Sequence, residues 1–111
     1  MGLRGTERQA QRAFERQVLA QIVALADTDG IVPIERAEQA IGYYRHTVAG
    51  NPAQQVLGRR LGAAIDGLYA AGLLDSAAPL GTYRPSPEGR ALVAERRRPW
   101  WRRLMLVTRP G

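Results

Sequence analysis

The 111-residue sequence has no cysteine and no lysine, and only one histidine and one phenylalanine. Without cysteine there is no disulfide framework, no thiol nucleophile and no thiolate-bound zinc. The one histidine, His46, has no carboxylate at ligand spacing and falls near a helix end. A histidine so placed reads as a surface or capping residue, not a catalyst. No stretch approaches the roughly 18 consecutive apolar residues that a membrane-crossing helix requires. The N-terminal segment has no continuous apolar run, and Glu7 and Glu15 interrupt its arginines, so neither a secretory signal nor a transit peptide is expected and the chain is assigned to the cytoplasm. Enzyme signatures are missing as well: there is no glycine-rich phosphate loop of the required spacing, no nucleophile elbow and no metal cluster. Asp27-Thr28-Asp29-Gly30 and Glu38 suggest a calcium loop at first sight, but Ile31 and Val32 fill the positions that should hold a ligand and the glycine of the sharp bend. The expectation is therefore a binding module, not an enzyme, with no metal and no cofactor.

What is present is a globule with an uneven charge. An apolar fraction of 45% is ordinary for a folded domain, and 111 residues suffice for one small core. All 16 basic residues are arginines. Residues 1–95 hold 10 of them against 10 acids, so the entire net charge of +6 lies in residues 96–111, which contain 6 arginines and no acid. The division expected is a neutral domain over 1–95 and a basic, tryptophan-containing extension over 96–111.

Thr6-Glu7-Arg8-Gln9 fits a capping box, which starts a first helix at Glu7 and carries it to about Ala26. Phe14, Val18, Ile22 and Leu25, with Leu19, Val23 and Ala26, form its apolar stripe. Arg8, Arg12 and Arg16 follow one another at one-turn spacing, as a solvated face or a phosphate-contacting ridge. Ile31-Val32 is a candidate short strand. Pro33 then opens a second helix at its first position, with Ile34, Ala37, Ile41 and Tyr44 on one face. After a loop over Arg45 to Gly50, Asn51 caps a third helix with Pro52 at its first position. That helix runs to Ala71, buries Leu57, Leu61, Ile65 and Leu68, and is open to a break near Gly58. Gly58 and Gly62 lie four apart, a spacing that lets a neighbouring helix backbone approach.

The stretch Leu57 to Val93 organises the rest. Tyr69-Ala70-Ala71-Gly72-Leu73-Leu74 is a helix stop. Leu73-Asp75 and Thr82-Arg84 flank a turn-rich segment and read as a β-hairpin, and Ser86-Pro87 caps and opens a fourth helix that buries Ala91, Leu92 and Val93. With Gly81-Thr82-Tyr83-Arg84-Pro85-Ser86-Pro87-Glu88-Gly89-Arg90-Ala91-Leu92, this resembles the helix–hairpin–helix signature of winged helix-turn-helix domains. It is shared by PadR-like and MarR-like regulators and by the N-terminal domains of Mrr-like restriction proteins, and here it covers about a third of the chain. The resemblance implies a mainly α fold with a small β-hairpin: a three-helix core, a wing and a C-terminal helix.

It also implies a function. In winged-helix proteins the helix before the hairpin commonly enters the major groove of double-stranded DNA. Residues pointing away from the Leu57/Leu61/Ile65/Leu68 stripe then become candidates: Gln55, Arg59 and Arg60, with Ala63 and Asp66 beside them. Arg84 on the wing and Arg90 after it are candidate phosphate contacts. Arg96, Arg97, Arg98, Arg102 and Arg103 form a basic tail able to add salt-dependent, sequence-independent affinity. Trp100, Trp101, Leu104 and Met105 in that tail fit a homodimer interface or core packing first, an arm on DNA second and an anionic membrane surface third. The leading expectation is a small DNA-binding transcriptional regulator. The competing one is a winged-helix protein-interaction module whose basic tail contacts a partner or an anionic membrane surface, because the wing tip from Ser76 to Gly81 carries no cation.

Overall fold

The computed structural model describes residues 2–97, with side chains described from Gly5 to Arg96. Helix α1 (Gly2–Leu25) is followed by strand β1 (Val32–Pro33) and helix α2 (Ile34–Ile41). A 3-10 turn (Arg45–Thr47) leads to helix α3 (Pro52–Ala70), strand β2 (Thr82–Tyr83) and helix α4 (Pro87–Arg97). The described chain is mainly helical, with a small antiparallel sheet.

Helix α1 packs against α2, α3 and α4. Its apolar stripe supplies Phe14, Val18, Leu19 and Ile22 to the core, where they meet Val32 of β1, Ala37 of α2, Leu61, Ala64, Ile65 and Leu68 of α3, and Leu74, Tyr83 and Val93. Leu19 and Ile22 are fully buried, and burial of such side chains stabilises by about 1.5–3 kcal/mol each. Leu25 and Val23 pack at the margin.

The sheet is small and its topology is informative. Val32 pairs with Tyr83 and Pro33 with Thr82, antiparallel. An isolated antiparallel bridge joins Leu74 to Pro85, with Asp75 N–H donating to the Arg84 carbonyl at 2.8 Å. The hairpin thus closes between Leu74 and Pro85, and β1 lies along its second strand. The pairing reaches one residue beyond the expected Thr82–Arg84. The first strand is Val32–Pro33 instead of Ile31–Val32, because Pro33, at φ −58° and ψ 138°, stays extended and serves as the cap of α2.

Several helix boundaries differ from the sequence expectation. The backbone is helical from Gly2, so the capping box at Thr6 is overrun and Thr6 lies inside α1. Helix α2 ends at Ile41 because Gly42 takes a left-handed φ of 95° and Tyr43 N–H donates back to the Glu38 carbonyl at 2.9 Å. That early end frees Tyr44 from the apolar face. Tyr44 is exposed, and Tyr43 packs instead. Helix α3 passes through Gly58 without a break. A Cβ at Gly58 would strike the Tyr43 ring at 2.8 Å, whereas one at Gly62 would meet nothing. The close approach to α1 falls at Gly67, which faces the Glu15 carboxylate. In α4, Val93 is buried and Leu92 partly so, but Ala91 faces solvent.

The end of α3 and the start of α4 are fastened to each other. Gly72 adopts φ 73°, and Leu73 N–H donates to the Leu68 carbonyl and Gly72 N–H to that of Tyr69, a Schellman closure. Buried Ser86 then donates from Oγ to the Gly72 carbonyl at 2.6 Å and accepts from Gly89 N–H at 3.0 Å. Ser86 therefore caps α4, as its sequence position implies, and also satisfies the α3 terminus.

Candidate functional site

The side of α3 turned away from Leu61, Ala64, Ile65 and Leu68 is the surface in question. Asn51 starts the helix: its side-chain oxygen accepts from Gln54 N–H at 3.2 Å. Gln54 in turn accepts from Tyr44 N–H at 2.8 Å and donates to the Gly42 carbonyl at 2.9 Å. That small network fixes the connection between α2 and α3. Gln55 is exposed and donates to the Val48 carbonyl at 3.2 Å, which holds it over the preceding loop. Arg59 is exposed, without a hydrogen-bond or ion-pair partner among the described residues. Ala63, Gly62 and Asp66 share the exposed side. Val56, nearly half exposed, is an apolar side chain on the same helix.

Arg60 is differently placed from Arg59, although the two are adjacent. Its guanidinium lies over the Phe14 ring of α1, 4.5 Å from the centroid, and its carbonyl accepts from Gln11 of α1 at 3.4 Å. One residue along a helix is a rotation of about 100°, and that rotation carries Arg60 to the α1 side. Its stacking on Phe14 has the geometry of a cation–π contact.

Arg84 is also engaged: its Nη1 lies 3.5 Å from Asp75 Oδ2 across the hairpin, and both side chains are about one third exposed. The Arg90 guanidinium comes within 3.6 Å of where a Gly30 Cβ would stand, and so lies over the turn between α1 and β1. Arg16 and Arg96 flank a groove between α1 and α4. Arg96 and Arg97 belong to the last turn of α4. Arg98, Arg102, Arg103 and the dimer-anchor candidates Trp100 and Trp101 lie outside the described residues. The candidate arginines thus divide between the outer side of α3, the α1–α3 seam, the hairpin and α4.

Two features were not singled out in the sequence. The first is the pair Glu38–Arg45, 2.5 Å apart. The hydrogen bond from Arg45 to Glu38, then the Glu38 charge, raises the Arg45 pKa above its ordinary value. The spacing of seven residues across the end of α2 was a legible signal only once Gly42 was known to turn the chain back. The second is Tyr83, whose phenol is pushed up to about 12, first by burial and then by the nearby Glu38 carboxylate. Tyr69, exposed by about a third, is raised by partial burial and by Asp75.

The turn at Asp27 shows why it resembles a cation loop. The Asp27 carboxylate accepts from Asp29 N–H at 2.9 Å and Ile31 N–H at 3.1 Å, so its chemistry serves the backbone. His46 is exposed, with Nε2 3.8 Å from Glu35. Among the described residues no three His, Cys, Asp or Glu side chains come together in a metal-holding group. No helix there is long and apolar enough to cross a membrane. Comparison with known proteins adds no relative: no family model, no curated protein and no solved structure matches the chain.

Proposed function

We propose that the chain is a winged-helix DNA-binding module, a cytoplasmic transcriptional regulator without enzymatic activity, which presents the outer side of α3 to the major groove. The observation that carries this reading is the order of elements. Helix α2 leads through a short connection to α3, a hairpin follows, and β1 from before α2 lies along the hairpin's second strand. This arrangement leaves one long side of α3 open between the α2 connection and the hairpin. Arg59 supplies the cation on that side and Gln55 a polar group near its start, the residue types that read guanine and adenine edges. Arg60, exposed but stacked on Phe14, supports α3 against α1.

Fluorescence anisotropy with labelled duplex DNA over a salt series tests the proposal. The protein binds duplexes, and Arg59→Ala reduces the discrimination between preferred and random sequences by about 1–3 kcal/mol. Arg60→Ala leaves that discrimination in place and lowers stability. Absence of binding even at low salt would overturn the reading.

One set of observations favours a second reading, a winged-helix module that binds another protein. Arg45 and Arg84 are paired with Glu38 and Asp75, and the hairpin tip presents the fully exposed Leu80 with no cation beside it. Under that reading Leu80→Asp and Val56→Asp abolish partner capture and Arg59→Ala does not.

A further inference from the structure

Helix α1 carries a row of arginines apart from the outer side of α3. Arg8, Arg12 and Arg16 are all exposed, and none has a hydrogen-bond or ion-pair partner among the described residues. Four residues along a helix advance about 6 Å and rotate by about 40°, so the three share one edge about 12 Å long. The acid that spacing would assign to neutralise the row is Glu15, one turn beyond Arg12. The fold turns it elsewhere: the Glu15 carboxylate lies against Gly67 of α3, in the space a Cβ there would occupy. Glu7 precedes Arg8 but stands about 100° round the helix from it. Arg96 of α4 is also exposed, and with Arg16 it borders the groove where α4 meets α1; Glu95, one position before it, is again about 100° away. A fourth arginine thus stands at the end of a three-arginine row, although like charges one turn apart already repel. The balanced charge of residues 1–95 hides this local excess, because Glu38 and Asp75 pair with Arg45 and Arg84, and Asp27 serves the backbone of its turn.

We infer that Arg8, Arg12, Arg16 and Arg96 form a phosphate-binding strip for a nucleic-acid strand, separate from the outer side of α3. The form of the array selects this ligand. A phosphodiester strand is a linear row of single negative charges, one for about every 3.4 Å of duplex axis, and a linear row of guanidinium forks matches phosphate oxygens in both charge and geometry. A membrane surface would require large apolar side chains beside the cations, to enter the interface. Among the described residues the exposed large apolar side chains are Tyr44, Val56, Tyr69 and Leu80, and none of them is on α1 or α4. Phosphate contacts hold a strand without reading its bases. The strip therefore contributes affinity, and discrimination between sequences belongs to another surface. The inference shares the nucleic-acid ligand of the proposed function but does not depend on α3.

The test titrates the full chain against a labelled duplex of random sequence over a salt series. Each phosphate contact contributes about 0.9 to the slope of log affinity against log salt. The triple variant Arg8→Gln, Arg12→Gln, Arg16→Gln therefore flattens the slope by about 2–3, and Arg12→Gln or Arg96→Gln alone by about 1. Arg36→Gln removes the same single charge from an exposed position on α2, outside the strip, and leaves the slope unchanged, which separates contact from net charge. Replacing the three α1 arginines by lysine retains most of the slope, because an ammonium group also pairs with phosphate. Circular dichroism is the same for all these variants, since each changed side chain is exposed. The triple glutamine variant keeps the ratio of affinities for preferred and random duplexes, a ratio that Arg59→Ala reduces. If Arg59→Ala is neutral while the triple variant flattens the slope, the α3 reading fails and the strip stands. If Arg59→Ala removes discrimination while the triple variant keeps the wild-type slope, the strip fails and the α3 reading stands. Absence of binding at low salt, or equal flattening by Arg36→Gln and Arg12→Gln, overturns the inference. So does a triple variant that loses binding to phosphatidylserine vesicles with its DNA slope unchanged, which assigns the row to a membrane surface.

Discussion

Gly62 and Gly89 are both helical, yet alanine has opposite consequences at the two. A Cβ at Gly62 meets nothing within 4 Å, so Gly62→Ala removes the helix penalty of glycine and stabilises by about 0.5–1 kcal/mol. A Cβ at Gly89 runs into the Leu73 carbonyl oxygen, which is backbone and yields only if α4 moves. Gly89→Ala destabilises by about 1–3 kcal/mol, the usual cost of overpacking. Urea midpoints of the two variants, displaced in opposite directions from wild type, check this. Tyr83 gives a pH prediction. Its phenol ionises near 10 in the unfolded chain and about 12 in the folded one, so between those values the folded state retains a proton that the unfolded state loses. Stability is constant in this respect below pH 10 and falls as pH rises toward 12, by about 1–2 kcal/mol for a phenol that keeps some access to solvent. Tyr83→Phe flattens that alkaline limb.

Among the elements, the junction of α3 and α4 is the point where one atom serves two helices. Ser86→Ala removes the N-cap of α4 and leaves the Gly72 carbonyl without the Ser86 hydroxyl. The cap contributes about 1 kcal/mol, and the part-buried hydrogen bond to the Gly72 carbonyl contributes about 0.5–1.5 kcal/mol. The variant therefore loses about 1.5–2.5 kcal/mol in chemical denaturation at unchanged m-value, and Ser86→Thr recovers part of it. This junction was legible beforehand as a helix stop, a hairpin and a helix start, because Gly72, Ser86 and Pro87 are local signals that work wherever the chain places them. The cap at Asn51 and the stripe of α3 were legible for the same reason. Less legible were the boundaries set by contacts distant in sequence. The end of α2 depends on Gly42 and on Tyr43 packing at Gly58. The separate fates of Arg59 and Arg60 depend on where α1 crosses α3, and no spacing within α3 encodes that crossing.

Taken whole, the molecule separates its charge from its core. The body through Glu95 is balanced and two of its arginines, Arg45 and Arg84, are paired, so the net positive charge that attracts a polyanion at long range lies in residues 96–111. Truncation after Arg97 removes 4 arginines. If all of them contact phosphates, the slope of log affinity against log salt becomes shallower by up to about 4. Affinity measured at a series of ionic strengths for the two chains checks this, and under the protein-binding reading the two slopes coincide.

Val32 and Tyr83, partners in the sheet, are 51 positions apart. The intervening chain contains all of α2 and α3, so the sheet closes a long loop whose entropy is recovered only after those helices have docked. Val32–Tyr83 pairing is consequently a late event in folding. The Ile34 amide, which donates to the Gly81 carbonyl across the same closure, therefore exchanges its hydrogen when the sheet opens while the helices stay docked, making it a reporter of that partial opening, with slower exchange in the core turns of α1 and α3.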